Sequence, residues 1–133
     1  MKVSAGFIAI LCGAVSAASS FAQAEGDFTK ANQEYAQGHF KEAIERCEQH
    51  LTRSGPSAEV FHLMGLIRDA SGNAVEAVSC YRKALYLDPD HGEALVHLTL
   101  LLEKAGKTSE AQLLRKRAHR LQQDSGSKNA PTL

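Results

Sequence analysis

Apolar residues recur at steps of three and four along most of the chain after residue 24. The stretch NAVEAVSCYRKALYLDPD (73–90) shows the pattern most clearly, and it ends at Asp88-Pro89. Such spacing places apolar side chains on one face of a helix, whereas a half-buried strand would alternate at every second residue. No alternating stretch of useful length is present, so the sequence predicts an all-α protein.

The same pattern returns every 34 residues. Glycine, glutamate and alanine each occur three times at this interval, and the segments around them superimpose without a gap. Three independent columns in one register identify an internal repeat. The repeated glycines and alanines are Gly38, Gly72, Gly106, Ala43, Ala77 and Ala111.

Each unit of the repeat is predicted to be a pair of helices joined by a tight turn. Glycine at the end of the first helix suits a residue with positive φ, and alanine in the second helix lets the two backbones approach closely. In the middle unit we expect the first helix from about Ala58 to Ser71 and the second from about Val75 to Leu87. Pro89 then removes the backbone donor that a continuing helix would need.

The middle unit, FHLMGLIRDASGNAVEAVSCYRKALYLDPD (61–90), resembles the tetratricopeptide repeat (TPR) family. The resemblance extends to three units at about 24–57, 58–91 and 92–125, of which the first is the most divergent. It implies an α-solenoid: a right-handed superhelical stack of helix-turn-helix repeats, whose concave side is lined by the first helix of every unit. Besides the repeated glycines and alanines, the matching positions are Gly65, Tyr81, Ala84, Pro89 and Ala118.

The resemblance also implies which side chains face a partner. A groove of this kind binds another protein or a peptide, and pockets for individual side chains give selectivity. Asp69 and Glu103 make the rim acidic, which favours a partner that carries Lys or Arg. The Lys, Asn and Arg clamp of repeats that bind chaperone tails is absent, because Phe28, Val96 and Leu100 replace its cations. The implied groove residues are Phe28, Asn32, Tyr35, His62, Leu66, Asp69, Val96, Leu100 and Glu103.

The net charge is zero, but the charges are unevenly distributed. Residues 25–110 hold fourteen acidic residues against nine basic ones, whereas RKRAHR (115–120) concentrates cations. This basic segment has two interpretations: a solvated face near the end of a helix, or a contact for an anionic membrane surface or an acidic protein. The near-neutral charge of an exported protein argues against nucleic acid. The cations are Arg115, Lys116, Arg117 and Arg120.

Both ends of the chain are predicted to lie outside the repeats, which span residues 25–121. Residues 1–24 show a basic start, an uncharged apolar core and an Ala-Gln-Ala end, which is the layout of a secretory signal. We expect cleavage after Ala24 and a periplasmic or secreted protein; the alternative is an uncleaved membrane anchor over residues 3–24. The polar residues 122–133 are expected to form a disordered tail.

The reactive residues do not support an enzyme, a metal site or a cofactor. His91 and His97 are six residues apart, and His62 is expected to approach His97 across neighbouring first helices, but no close ligand pair typical of zinc is present. Cys47 and Cys80 are interpreted as small buried residues, with a disulfide as the alternative in an oxidising compartment.

The sequence therefore predicts a non-catalytic adaptor or assembly factor of the cell envelope that recognises its partner through a preformed groove. Two alternatives stay open. One is a membrane-tethered structural subunit of an envelope assembly. The other is an accessory subunit of a redox or enzyme complex that uses Cys47 and Cys80.

Overall fold

The computed structural model describes residues 22–128, and every regular element in that range is an α-helix. The helices form consecutive pairs separated by short turns, as the repeat predicts. They fall into two compact units that divide after Pro56. The helices are α1 (22–36), α2 (Phe40–Ser54), α3 (Ala58–Ala70), α4 (Ala74–Leu87), α5 (Gly92–Lys104) and α6 (Thr108–Lys128).

The N-terminal unit is the pair α1 and α2, whose contact is made by small residues and one buried carboxylate. Ala31 on α1 and Ala43 on α2 are both fully buried. Asp27 is also buried, and its carboxylate is paired with Arg53 and lies 3.8 Å from Arg46. A buried charge is tolerated only when it is paired, which explains why both cations lie beside it.

The C-terminal unit contains α3 to α6, with one apolar core that continues from pair to pair. Tyr81 on α4 is fully buried and lies across Gly65 on α3, where an added Cβ would be 2.4 Å from the ring. Only glycine therefore fits opposite this ring. The buried members of the cluster around it are Ala77, Tyr81, Leu98, Leu101, Leu102 and Ala111.

The three turns between paired helices have the backbone that the repeated glycines predict. Gly38, Gly72 and Gly106 have φ angles of 81°, 84° and 80°, a region where a side chain is strained. In each turn the next residue donates to a carbonyl near the helix end, as Asn73 N–H does to Arg68 O at 2.8 Å. These hydrogen bonds satisfy carbonyls that the end of a helix leaves without an intrahelical donor.

The helices also begin and end where local side-chain chemistry directs. Asn73 caps α4 through its side-chain oxygen, which accepts from Glu76 N–H at 3.4 Å. His91 caps α5 in the same way, because its Nδ1 accepts from Ala94 N–H at 3.1 Å. The last backbone bond of α4 runs from Asp88 N–H to Ala84 O, just before Pro89. The predicted bounds of the two helices in the middle unit therefore agree with the structure to within a residue.

The C-terminal end differs from the prediction. Residues 122–128 were expected to belong to a disordered tail, but α6 continues through them to Lys128. Extending an existing helix needs no new nucleation, so residues such as Gln122 and Gln123 can continue it without an apolar face of their own. The prediction was wrong for this stretch because it relied on apolar periodicity alone. Residues 129–133 lie outside the described range.

The N-terminal end can be compared with the sequence only from residue 22 onward. Ala24, the last residue of the predicted signal, is helical and buried, and its carbonyl accepts from His50 Nδ1 at 2.5 Å. Residue 24 therefore packs within the N-terminal unit. Residues 1–21 of the predicted signal lie outside the described range. Within residues 22–128, no helix combines the length and apolar character that crossing a membrane requires.

Candidate functional site

The first helices of the C-terminal unit, α3 and α5, carry the groove positions implied by the sequence. Within each helix the positions follow a spacing of four and then three residues, which aligns them on one face. On α5 this face is apolar and open to solvent: Val96 is 42% exposed and Leu100 is 48% exposed. Neighbouring apolar side chains that stay in water on one helical face are typical of a surface that another molecule covers.

The corresponding face of α3 is less open. Leu66 is partly buried because it packs against the core cluster around Tyr81, and Asp69 is exposed. His62 was predicted to face a partner, but it is only 8% exposed. Its ring lies beneath the next pair of helices, so the groove prediction is corrected at this residue.

His62 lies in a cluster of aromatic and imidazole rings. Its ring centroid is 4.9 Å from that of His91, 5.3 Å from that of His97 and 5.8 Å from that of Tyr81. The approach of His62 to His97 across neighbouring first helices was predicted, whereas the participation of His91 was not. The sequence could have indicated His91 by its position directly before α5, where a histidine side chain can cap the helix.

The surroundings of His62 keep its imidazole neutral. Burial, together with the smaller effects of His91 and His97 and against the opposing effect of Glu93, lowers the pKa of His62 to about 4. The Nδ1 atom of His62 is 3.8 Å from a carboxylate oxygen of Glu93. Within the described residues, its Nε2 atom is buried without a hydrogen-bond partner. The ring is therefore a packed structural element at neutral pH.

Acidic and basic side chains pair along the edge of α5 and α6. Glu103, the last groove position on α5, pairs with Arg115, and Asp90 lies 3.8 Å from Arg117. Two of the four cations in the predicted basic segment therefore lie beside carboxylates of the same unit. The other two cations, Lys116 and Arg120, are exposed.

The groove positions of the N-terminal unit lie on α1. Phe28 is partly buried, with its ring centroid 5.8 Å from that of His50 on α2. Tyr35 lies beside Phe40, with centroids 6.2 Å apart. Asn32 is exposed, although its side-chain amide donates to Phe28 O at 3.0 Å. Of these positions, Asn32 presents the most accessible polar group.

The arrangement of the described His, Cys, Asp and Glu side chains gives little support for a metal site or a reactive thiol. Among residues 22–128, no group of three or more His, Cys, Asp or Glu side chains is arranged to hold a metal ion. Cys47 and Cys80 are both buried as thiols, one in each unit. Burial raises the pKa of the Cys80 thiol, which makes its reactive thiolate less available.

Residues 58–91 match the sequence model of the Tetratricopeptide repeat family. Among curated proteins, the Probable biofilm formation methyltransferase WspC of Pseudomonas aeruginosa is 48% identical over 83 residues, which is 62% of this chain and 20% of that protein. The chain thus spans about a fifth of the length of this relative.

Two solved structures share the arrangement of helices. The crystal structure of MamA has a TM-score of 0.74 and 20% identity, covering 78% of this chain and 61% of that chain. The second TPR of Spaghetti (RPAP3), bound to the HSP90 peptide SRMEEVD, has a TM-score of 0.69 and 20% identity, covering 74% of this chain and 92% of that chain. At this level of identity the likeness shows the fold, and it confirms the predicted fold class.

Proposed function

We propose that this chain, a member of the tetratricopeptide repeat family, binds another protein or a peptide through the exposed face of α5 and the neighbouring part of α3. The observation that carries the proposal is the pair Val96 and Leu100, which follow each other on successive turns of α5 with nearly half of each side chain in water. A preformed helical face of this kind recognises its partner without making or breaking a bond. The chain acts as a non-catalytic adaptor or assembly factor.

The chemistry of this face favours an apolar segment that also carries Lys or Arg. Asp69 on α3 and Glu93 on α5 are exposed carboxylates in the same unit as the apolar pair. The Spaghetti domain binds an HSP90 peptide, SRMEEVD, that ends in Asp and contains two Glu. This chain has no cations at the α5 groove positions, where Val96 and Leu100 stand, so a peptide of that kind does not fit it.

The relationship to the biofilm methyltransferase supports recognition as the role. MamA has the same fold at 20% identity, so 48% identity over 83 residues is much more than the fold needs. We infer that the two chains share surface residues as well as core residues. The match covers only a fifth of the methyltransferase, which is consistent with a part that binds a partner while catalysis resides elsewhere in that protein.

We place this binding in the cell envelope because residues 1–24 have the layout of a secretory signal. N-terminal sequencing of the protein recovered from the envelope fraction of a bacterial host tests this part. A start at Glu25 supports export with cleavage. A start at Met1 in a membrane-bound protein would replace it with the tethered alternative.

Replacing Leu100 by Asp should abolish capture of the partner without unfolding the chain. An aspartate at this half-exposed position leaves the core intact but places a charge in the apolar contact, which costs at least about tenfold in affinity. The measurement is affinity capture from envelope extract with the wild type and the variant, followed by calorimetry with the partner identified.

The matched control is Leu113→Asp, because Leu113 is 68% exposed on α6 and lies outside the groove. It should bind as the wild type does. The matched 83-residue region of the methyltransferase should compete for the same partner. Equal binding by both aspartate variants would place the binding surface elsewhere on the chain.

A further inference from the structure

A cleft of about 550 Å³ lies between the N-terminal half of α5 and the C-terminal half of α6. Its apolar part is formed by Val96 on α5 and by Ala118 and Leu121 on α6. Asp90 and Glu93 form an acidic edge. The volume is within the range of pockets that bind ligands, and it is large enough for several side chains of a docking helix.

The repeat shows what normally occupies such a place. Positions 34 residues earlier correspond to the cleft: His62 corresponds to Val96, and Ala84 corresponds to Ala118. His62 and Ala84 are 8% and 0% exposed, because the first helix of the next pair, α5, packs beside them. Val96 is 42% exposed and Ala118 is partly exposed. The cleft is therefore the position that a following first helix would fill.

Near the C-terminal end of α5, the outer face of the last helix pair carries an ion pair instead of an open apolar cleft. Arg115 stands where the previous unit has Tyr81, and it pairs with Glu103 instead of entering a core. Thr99 stands where the previous unit has Gly65, and its hydroxyl donates to Leu95 O at 2.7 Å. The ion pair of Arg115 suits an end that meets water, whereas Thr99 is only 4% exposed and its hydroxyl is satisfied within α5. The opening near Ala118 is not covered in this way, so the end face is polar along one half and apolar along the other.

The acidic edge of the cleft has capacity for a cation. The side chains of Asp90 and Glu93 are 74% and 76% exposed. Arg117 approaches Asp90 only to 3.8 Å, and Glu93 faces a neutral His62. Both carboxylates can therefore accept a charge-assisted hydrogen bond from a Lys or Arg that arrives with a ligand.

We propose that this cleft binds an amphipathic helix of another protein, which takes the place that α5 takes one repeat earlier. The apolar face of this helix lies on Val96 and Ala118, the counterparts of residues that α5 covers, and reaches Leu121 because that residue lines the same cleft. Leu87, the counterpart of Leu121, stays 41% exposed, so the repeat alone does not place a helix over Leu121. Because first helices run in the same direction in every unit, the N-terminal end of the bound helix lies at the acidic edge, where a Lys or Arg faces Asp90 and Glu93. The cleft shares Val96 and Glu93 with the face proposed above, but Leu100 does not line it.

A second copy of the chain, stacked through its N-terminal unit, is a poorer occupant. The large apolar residues that the described part of the chain exposes all lie on α4, α5 and α6. The N-terminal unit therefore has no exposed large apolar side chain within the described residues to insert into the cleft. A helix from another protein can supply both the apolar face and the cation.

The probe that tests this inference is a synthetic peptide with the sequence of α5, Gly92–Lys104, extended by two lysines at its N-terminus and labelled for fluorescence anisotropy. The peptide should bind the full chain saturably with one site. Leu121→Asp should weaken binding at least about tenfold, because a charge replaces an apolar contact. Asp90→Lys should weaken it several-fold through repulsion of the lysines.

Three matched variants separate the cleft from other surfaces. Leu113→Asp on the same helix, Asp124→Lys on α6 and Leu100→Asp in the groove should all bind the peptide as the wild type does. Circular dichroism of each variant checks that its helices are intact. The inference is overturned if the peptide does not bind, if Leu121→Asp and Asp90→Lys bind it unchanged, or if Leu121→Asp instead dissociates a dimer seen by light scattering. Loss of partner capture by Leu100→Asp together with intact peptide binding would show that the two adjoining sites, which share Val96, can be separated at Leu100.

Discussion

Replacing Tyr81 by Ala should lower the free energy of unfolding by about 3–5 kcal/mol. Its ring is fully buried in the core of the C-terminal unit and lies directly over Gly65. Truncation removes the contacts of the ring and leaves a cavity that helix backbones cannot close. Small domains have a total stability of about 5–15 kcal/mol, so a loss of this size approaches global unfolding. Urea denaturation followed by circular dichroism measures it.

The matched control for this prediction is Tyr86→Ala on the same helix. Tyr86 is 87% exposed, so its removal should change the free energy of unfolding by less than about 0.5 kcal/mol. The two variants share the same substitution and the same helix, and they differ only in burial. Similar losses for both would mean that Tyr81 does not anchor the contact between α3 and α4.

Acidification should destabilise the chain through His62. In the folded protein its pKa is lowered to about 4, whereas in the unfolded chain it has its ordinary value of 6.5. Between these two values the unfolded chain binds a proton that the folded chain does not, so stability falls as the pH drops from 6.5 to 4 and is fully present above that range. The difference corresponds to a free energy of unfolding on the order of 3 kcal/mol.

The test compares the pH dependence of unfolding for the wild type and for His62→Gln. The groups that face His62 are His91, His97, Glu93 and Tyr81, and all of them are retained in the variant. In the variant, the free energy of unfolding should therefore change less steeply between pH 6.5 and 4, because the contribution of His62 is absent. His119→Gln, which changes an exposed imidazole on α6, should keep the wild-type slope. A wild-type slope in His62→Gln would show that other groups cause the acid sensitivity.

Much of the fold follows from the sequence because its signals are local. The interval of 34 residues fixes the register of the helix pairs, and the turns need glycine wherever φ is positive. Pro89 ends α4 by removing a backbone donor, which requires no knowledge of distant residues. These features were predicted to within a residue in the middle unit.

The candidate site follows from the sequence only in part, because exposure depends on what packs over each position. Val96 and His62 occupy equivalent places in the repeat, yet the first is open and the second is covered by the next pair of helices. Because the two residues occupy equivalent places, the resemblance between units cannot predict which of them is exposed. The cleft beside Ala118 has the same origin, since among the described residues no helix covers it in the way that α5 covers Ala84.

The most direct test of the proposed function is nuclear magnetic resonance mapping of the bound partner on the ¹⁵N-labelled chain. On titration, amide shifts should cluster on α5 around Val96 and Leu100 and on the adjacent part of α3 near Asp69. Amides near the exposed outer residues Val75 and Tyr86 of α4 should not move. Shifts centred on that outer face of α4, with α5 unchanged, would contradict recognition through the first helices.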